Sequence, residues 1–163
     1  DAVNKLGEGV KAIALPDERW DKVDIKTTNL IPNILAQTKA EKKFAYTAML
    51  FRDGICTEGA TSNVFAVKDG ILYTHPADNH ILKGITRQMI VTRVAPSLGI
   101  TLIEKEFDRA FVDDADELFF TDTIGGVIPI IKLDKNPVSG GKPGHVTLRL
   151  REALEKLMEE GLP

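Results

Sequence analysis

The chain has 163 residues, 43% of them hydrophobic and 28% charged, which suits one soluble-type domain with a core of its own. Its 21 basic and 24 acidic residues leave a net charge of −3, so charge gives no ground for a nucleic acid or an anionic membrane as partner. The single cysteine, Cys56, excludes an internal disulfide and a cysteine-rich zinc site, and reads as a buried thiol. No apolar run reaches the length of a membrane span and no secretory signal pattern opens the chain, so a cytoplasmic location is the default. Asp1 is not an initiator methionine, and Asp1-Ala2-Val3-Asn4 shows neither a cap nor a strand pattern. The expectation is a domain cut from a longer polypeptide.

Lys11 to Leu15 predicts a strand ending at Pro16, and Thr27 to Lys43 a helix. In that helix Leu30, Ile31, Ile34 and Leu35 share one stripe, Pro32 suits the first turn, and Lys39, Glu41, Lys42 and Lys43 form a solvated end. Tyr46–Arg52, Ile55–Thr57, Asn63–Lys68 and Ile71–Thr74 are short β-favouring runs, joined in two places by the hairpin dipeptides Asp53-Gly54 and Asp69-Gly70. Gly84–Leu98 has helical periodicity limited by Pro96. Thr101–Phe107 predicts a strand and Asp108–Asp114 a short helix. Glu117–Thr121 and Val127–Leu133 predict strands around a Gly125-Gly126 turn, and Val146–Glu160 a closing amphipathic helix. Hairpins and helices do not alternate regularly, which argues against a doubly wound parallel sheet. The expected fold is mixed α/β: a curved, largely antiparallel or mixed sheet, or pseudo-barrel, with helices outside it.

Three stretches carry chemistry: Asp24-Ile25-Lys26-Thr27-Thr28-Asn29, Thr57 through Phe65, and Leu82-Lys83-Gly84-Ile85-Thr86-Arg87. Taken singly each has an ordinary explanation. Lysines are mostly exposed, Glu58 before Gly-Ala-Thr-Ser suits a turn, and Gly84-Ile85-Thr86 suits a helix start, though such a start also offers free N–H groups to a phosphate. The three histidines, His75, His80 and His145, have no metal-ligand spacing, so no metal is expected. Arg87 reads as pairing with a carboxylate. The acidic run Asp113, Asp114, Asp116 and Glu117 reads as a solvated turn.

Together Glu58, Ala60, Asn63, Val64, Phe65, Leu72, Thr74, Leu82, Gly84, Ile85 and Arg87 form one string. It resembles the signature of the class IV (fold-type-IV) pyridoxal-phosphate aminotransferases, and the likeness runs from about Arg19 to the last helix. Asp24-Ile25-Lys26 and Leu72-Tyr73-Thr74-His75-Pro76-Ala77 are most similar to bacterial D-amino-acid aminotransferases. The resemblance implies pyridoxal 5′-phosphate as cofactor and the large C-terminal domain of that fold over residues 1–163, without the small N-terminal domain. It implies Lys26 as the catalytic lysine, which holds the cofactor and must lose its proton to do so. Glu58 would face the pyridine nitrogen, Leu82 a ring face, and Ile85, Thr86 and Thr123 the phosphate. Arg19 would support the site and Ile124 lies in the loop facing the substrate.

Two departures stand out. Asp122 precedes Thr123 where relatives carry a small neutral residue, and a carboxylate beside a phosphate dianion is unfavourable unless it points away. Gly125-Gly126 is similar to (R)-selective amine transaminases and some branched-chain enzymes. The implied activity is amino-group transfer between a D-amino acid and a 2-oxo acid, in a homodimer. The alternatives are branched-chain L-amino acids or (R)-amines as donors, an aminodeoxychorismate-type lyase, or a catalytically silent module.

Overall fold

The computed structural model describes residues 2–161; Asp1, the first residue of the patternless opening tetrapeptide, lies outside them. The chain begins with α1 (Ala2–Gly7), for which the sequence suggested no element, and β1 (Val10–Pro16). A long irregular connection leads to α2 (Ile31–Glu41). Then come β2 (Thr47–Arg52), β3 (Ile55–Gly59), β4 (Asn63–Lys68) and β5 (Ile71–Thr74). One helical rod follows as α3 (Ile85–Met89), a π-helical stretch at Ile90–Val94, and α4 (Ala95–Ser97). The remainder is β6 (Leu102–Glu104), α5 (Arg109–Asp113), β7 (Glu117–Asp122), β8 (Gly126–Leu133), β9 (Asn136–Pro137) and α6 (His145–Glu159), with a 3₁₀ turn at Ser139–Gly141.

Both Asp-Gly pairs turn hairpins as their chemistry predicts. Asp53 and Gly54 have φ of 50° and 82°, and Asp69 and Gly70 have 51° and 75°. Two successive left-handed residues give the turn whose twist matches the flanking strands. Asp108 caps α5 by accepting a hydrogen bond from the Phe111 N–H at 2.8 Å.

The nine strands form one sheet in the order β3-β2-β1-β8-β7-β4-β5-β6, with β9 beside β8. β1 runs parallel to β2 and β8, β5 runs parallel to β6, and the other pairs are antiparallel. The sheet is therefore mixed, as the irregular order of hairpins and helices implied. It is also curled. β3 and β6 lie at opposite ends of the strand order, yet Ile55 bridges Asp108 and the Cys56 N–H donates to the Phe107 carbonyl at 2.9 Å. The segment just past one end thus closes on the strand at the other.

Both faces of the curl are buried. Along β4 and β7, Val64, Ala66, Leu118 and Phe120 join a core with Phe107 and Val112, while the intervening Phe65, Val67 and Phe119 meet Ile90, Val94, Leu150 and Leu154 of the outer helices. This two-sided burial explains why these strands are nearly continuously apolar. Phe65 and Phe119 stack with ring centroids 4.9 Å apart. At the other side Ala36 and Ala40 of α2 pack on Ile13, Ala48 and Leu50.

Three readings of the sequence change here. α2 starts at Ile31, not Thr27: the Asn29 N–H donates to Thr27 Oγ1 at 3.2 Å and the Leu30 N–H to the Thr28 carbonyl at 2.9 Å. Those turns replace the helical ladder, and Pro32 has no N–H to donate back to Thr28, so it suits the first turn. The apolar stripe of α2 is also not its core face, since Leu30, Ile31, Ile34 and Leu35 are about half exposed or more. The small alanines make the close approach instead. Glu117 is not part of a solvated turn either; its buried carboxylate accepts from the N–H groups of Val146 and Thr147 at the start of α6. Its neighbours Asp113, Asp114 and Asp116 are exposed, as expected. No helix among the described residues is long and apolar enough to cross a membrane.

Candidate active site

The chain leaves the edge strand β3 through Gly59-Ala60-Thr61-Ser62 and enters the sheet again at β4. A cleft of about 530 Å³ opens beside that turn. Its wall includes Arg19, Lys26, Glu58, Leu82, Ile85, Thr86 and Thr123, and one flank of α2. Seven of the eight positions singled out in the sequence therefore meet at one cavity, of a size usual for a small ligand. The eighth, Ile124, is 82% exposed and lies outside the cleft wall.

Lys26 is exposed, in the irregular segment ahead of α2. Glu58 lies opposite in character, only 4% exposed near the end of β3. It accepts from the Arg19 guanidinium, from Asn63 Nδ2 at 2.8 Å and from the Leu82 N–H at 3.1 and 3.2 Å. Asn63 Nδ2 also donates to the Leu82 carbonyl at 2.8 Å, which ties the loop before α3 to β4. Burial pushes the Glu58 carboxyl up to about 7, against the opposing pull of Arg19.

Arg19 is held by a second carboxylate. Its Nε and Nη2 donate to the two oxygens of Asp17, each at 2.8 Å, and Nη2 reaches the His80 carbonyl at 3.2 Å. Burial alone would raise the Asp17 carboxyl, but Arg19 and the Thr57 hydroxyl bring it down to about 2. One buried cation thus stands between two carboxyls and pulls both down; burial outweighs that pull at Glu58 and not at Asp17. The sequence did not mark Asp17, because the Thr57 and Glu58 that complete its pair with Arg19 are brought in only by the fold.

At the other end of the cleft Gly84 is the N-cap of α3, with no side chain capping the helix. The first-turn N–H groups of Ile85 and Thr86 lie beside the cavity, and the Thr86 hydroxyl donates to the Asp122 carbonyl at 2.9 Å. The Asp122 carboxylate folds back on its own turn. Its Oδ1 accepts from the N–H groups of Ile124 and Gly125 at 2.9 and 2.6 Å, and Oδ2 from the Tyr46 hydroxyl at 3.4 Å. Burial and this carboxylate together push the Tyr46 phenol up to about 12. Two further polar atoms carry no signal in the sequence. The hydroxyls of Ser62 and Thr121 are buried on the cleft wall without a hydrogen-bond partner among the described residues. Both residues fit ordinary strand or turn patterns.

Outside the cleft, Arg87 is buried and donates to Glu104 and to the His75 carbonyl, the carboxylate pairing read from the sequence. Cys56 is fully buried, and burial raises its thiol far above the ordinary range. The loop after β5 gathers His75, Asp78 and His80, although their spacing in the sequence carries no metal signature.

A family model described as amino-transferase class IV matches residues 4–133. The D-alanine aminotransferase of Staphylococcus aureus (strain COL) is 42% identical over 154 residues, covering 94% of this chain and 54% of that protein. A branched-chain aminotransferase from Thermoproteus uzoniensis, solved with norvaline, superposes with a TM-score of 0.86 at 31% identity, over 93% of this chain and 52% of that one. The T.th. branched-chain amino acid aminotransferase complexed with N-(5′-phosphopyridoxyl)-L-glutamate gives 0.86 at 29%, over 98% and 55%. The chain spans about half the length of the curated relatives it matches.

Proposed function

The chain belongs to the class IV aminotransferase family, and on that premise we propose that it is the larger, cofactor-binding domain of a pyridoxal-phosphate aminotransferase that moves an amino group from a D-amino acid to a 2-oxo acid. The observation that carries the reading is the single cleft shared by Lys26, Glu58, Thr86 and Thr123. Its donor set suits the cofactor. There is an amine for the aldehyde carbon and a buried carboxyl for the ring nitrogen. Hydroxyls and uncapped helix N–H groups suit the phosphate, and Ser62 and Thr121 add two unpartnered hydroxyls. When bound, pyridoxal phosphate supplies an electron sink for the substrate's α-carbanion.

In this reading Lys26 would hold the aldehyde carbon and, once the substrate amine displaces it there, its freed amine would carry the proton to and from the substrate α-carbon. Glu58 holds the proton at the pyridine nitrogen, with Arg19 and Asn63 fixing its oxygens. Leu82 covers a ring face, while Ile85, Thr86 and Thr123 take the phosphate. Asp122, which also lines the cleft, turns one carboxylate oxygen onto the N–H groups of its own loop, which supports a phosphate at the neighbouring Thr123. We place the exposed apolar face of Ile31, Ile34 and Leu35 against the remainder of the protein or the second subunit of a homodimer.

D-Alanine is the preferred donor because the 42% relative is a D-alanine aminotransferase. Branched-chain L-amino acids are the second reading, favoured by the two superposing branched-chain enzymes. The test uses the full-length protein with pyridoxal phosphate. A visible absorption band that borohydride fixes covalently is expected, and Lys26→Ala should abolish the fixed adduct. Retention of the adduct in that variant removes Lys26 from the site. Turnover of D-alanine, L-leucine and an (R)-amine with 2-oxoglutarate then ranks the donors, and activity with L-leucine alone would overturn the D-amino-acid assignment.

A further inference from the structure

The loop between β5 and α3 brings two imidazoles and a carboxylate together beside Arg19, whose Nη2 donates to the His80 carbonyl. The ligating atoms of His75, Asp78 and His80 all lie within 4.8 Å of one another. His75 Nδ1 is 3.7 Å from Asp78 Oδ1, and His80 Nδ1 is 3.8 Å from Asp78 Oδ2. Both separations are too long for hydrogen bonds. Each ring thus faces a different oxygen of the one carboxylate, at a separation a little longer than the edge of roughly 3.4 Å between neighbouring ligands around a tetrahedral ion with bonds of about 2.0–2.1 Å.

We propose that His75, Asp78 and His80 form a binding site for a divalent cation of the zinc class. Two neutral imidazoles and one carboxylate are the nitrogen-and-oxygen set such an ion takes with its fourth position open to water. The loop is held for the purpose by its backbone. The Asp78 N–H donates to the Pro76 carbonyl and the His80 N–H to Asp78 Oδ1, each at 2.8 Å. The His75 carbonyl accepts from Arg87 at 2.8 Å and the His80 carbonyl from Arg19 at 3.2 Å. Burial then favours capture over surface adsorption: the His75 side chain is 2% exposed, and those of Asp78 and His80 about a third. His75 Nδ1 lies 2.9 Å from the Pro76 carbonyl, so ligation through that nitrogen exchanges this contact for the metal bond and leaves the proton on Nε2. Because the His80 carbonyl touches Arg19, the occupied loop also stiffens one support of the Glu58 pair. The site stands apart from the aminotransferase reading and does not depend on it.

The chain's third histidine supplies the control. His145 is exposed at the start of α6 and belongs to no such group. Zinc is titrated into the full-length protein in phosphate-free buffer by calorimetry, and cobalt(II) replaces it for visible spectroscopy. One saturable equivalent is expected, with cobalt bands of four-coordinate geometry. Asp78→Asn and His80→Gln, both on partly exposed side chains, should each weaken binding at least tenfold, and His145→Gln by less than twofold. Absence of a saturable equivalent in the unaltered protein overturns the proposal, as does an equal loss in His145→Gln.

Discussion

Glu58 makes the stability of the cofactor-free protein depend on pH in a direction opposite to that of most ion-paired carboxylates. Its folded-state pKa of about 7 lies above the ordinary value of 4.5, with burial as the leading cause. A group raised in this way contributes full stability below its unfolded pKa, and the contribution is lost as pH rises through the folded pKa. The gap corresponds to about 3 kcal/mol between pH 4.5 and pH 8. For a chain of this size that is roughly 10 °C in melting temperature. Asp17, lowered to about 2, acts with the usual sign but below about pH 4, so the two windows do not overlap. Melting followed by circular dichroism from about pH 5 to 8 should therefore show a fall in the unaltered protein that Glu58→Gln removes, since an amide does not titrate. An equal slope in the two proteins would refute the argument. It would mean that Arg19, Asn63 and the Leu82 N–H hold the carboxylate charged throughout this range.

Three more substitutions test other parts of the fold. Asp122→Ala removes the acceptor for the Ile124 and Gly125 N–H groups and should cost about 1–3 kcal/mol in urea unfolding. In the same variant the Tyr46 phenol should titrate below about 12, read as the tyrosinate absorbance. Gly84→Ala puts a Cβ into Asn63 Oδ1, which must move aside, so pyridoxal phosphate should bind at least tenfold more weakly in a fluorescence titration while the melting temperature moves little. Phe120→Ala opens a cavity at a side chain with no exposure and should cost about 3–5 kcal/mol, with little change in the cofactor's absorption band.

The parts of this fold written in local chemistry are legible in the amino-acid sequence itself. Asp53-Gly54 and Asp69-Gly70 specify two hairpins, Asp108 caps its helix, and the irregular order of elements announces a mixed sheet. The string from Glu58 to Arg87, with the family it resembles, points to seven residues that share one cleft, although they are scattered from Arg19 to Thr123. What is not legible depends on distant partners. The α2 stripe has helical spacing whether it faces a core or another molecule, and only the packing of Ala36 and Ala40 decides the matter. Asp17 gives no signal because its role arises from Thr57, far along the chain, and from an Arg19 that Glu58 also holds. Asp122 is unusual in the sequence, but the pattern does not show that its carboxylate turns back onto the N–H groups of Ile124 and Gly125.

The closure of the curl at Cys56 and Phe107 has a bearing on how the molecule behaves in a crowded solution. An open sheet offers the backbone groups of its two outermost strands to any passing extended chain, which is how edge-to-edge aggregates begin. Here the strand at one end commits its Cys56 N–H to the segment that follows the strand at the other, and Ile55 bridges Asp108 beside it. At that point the end of β3 is no longer open to another strand. Cutting that seam, for example with a proline at Cys56, should convert a self-limited sheet into one that recruits further copies.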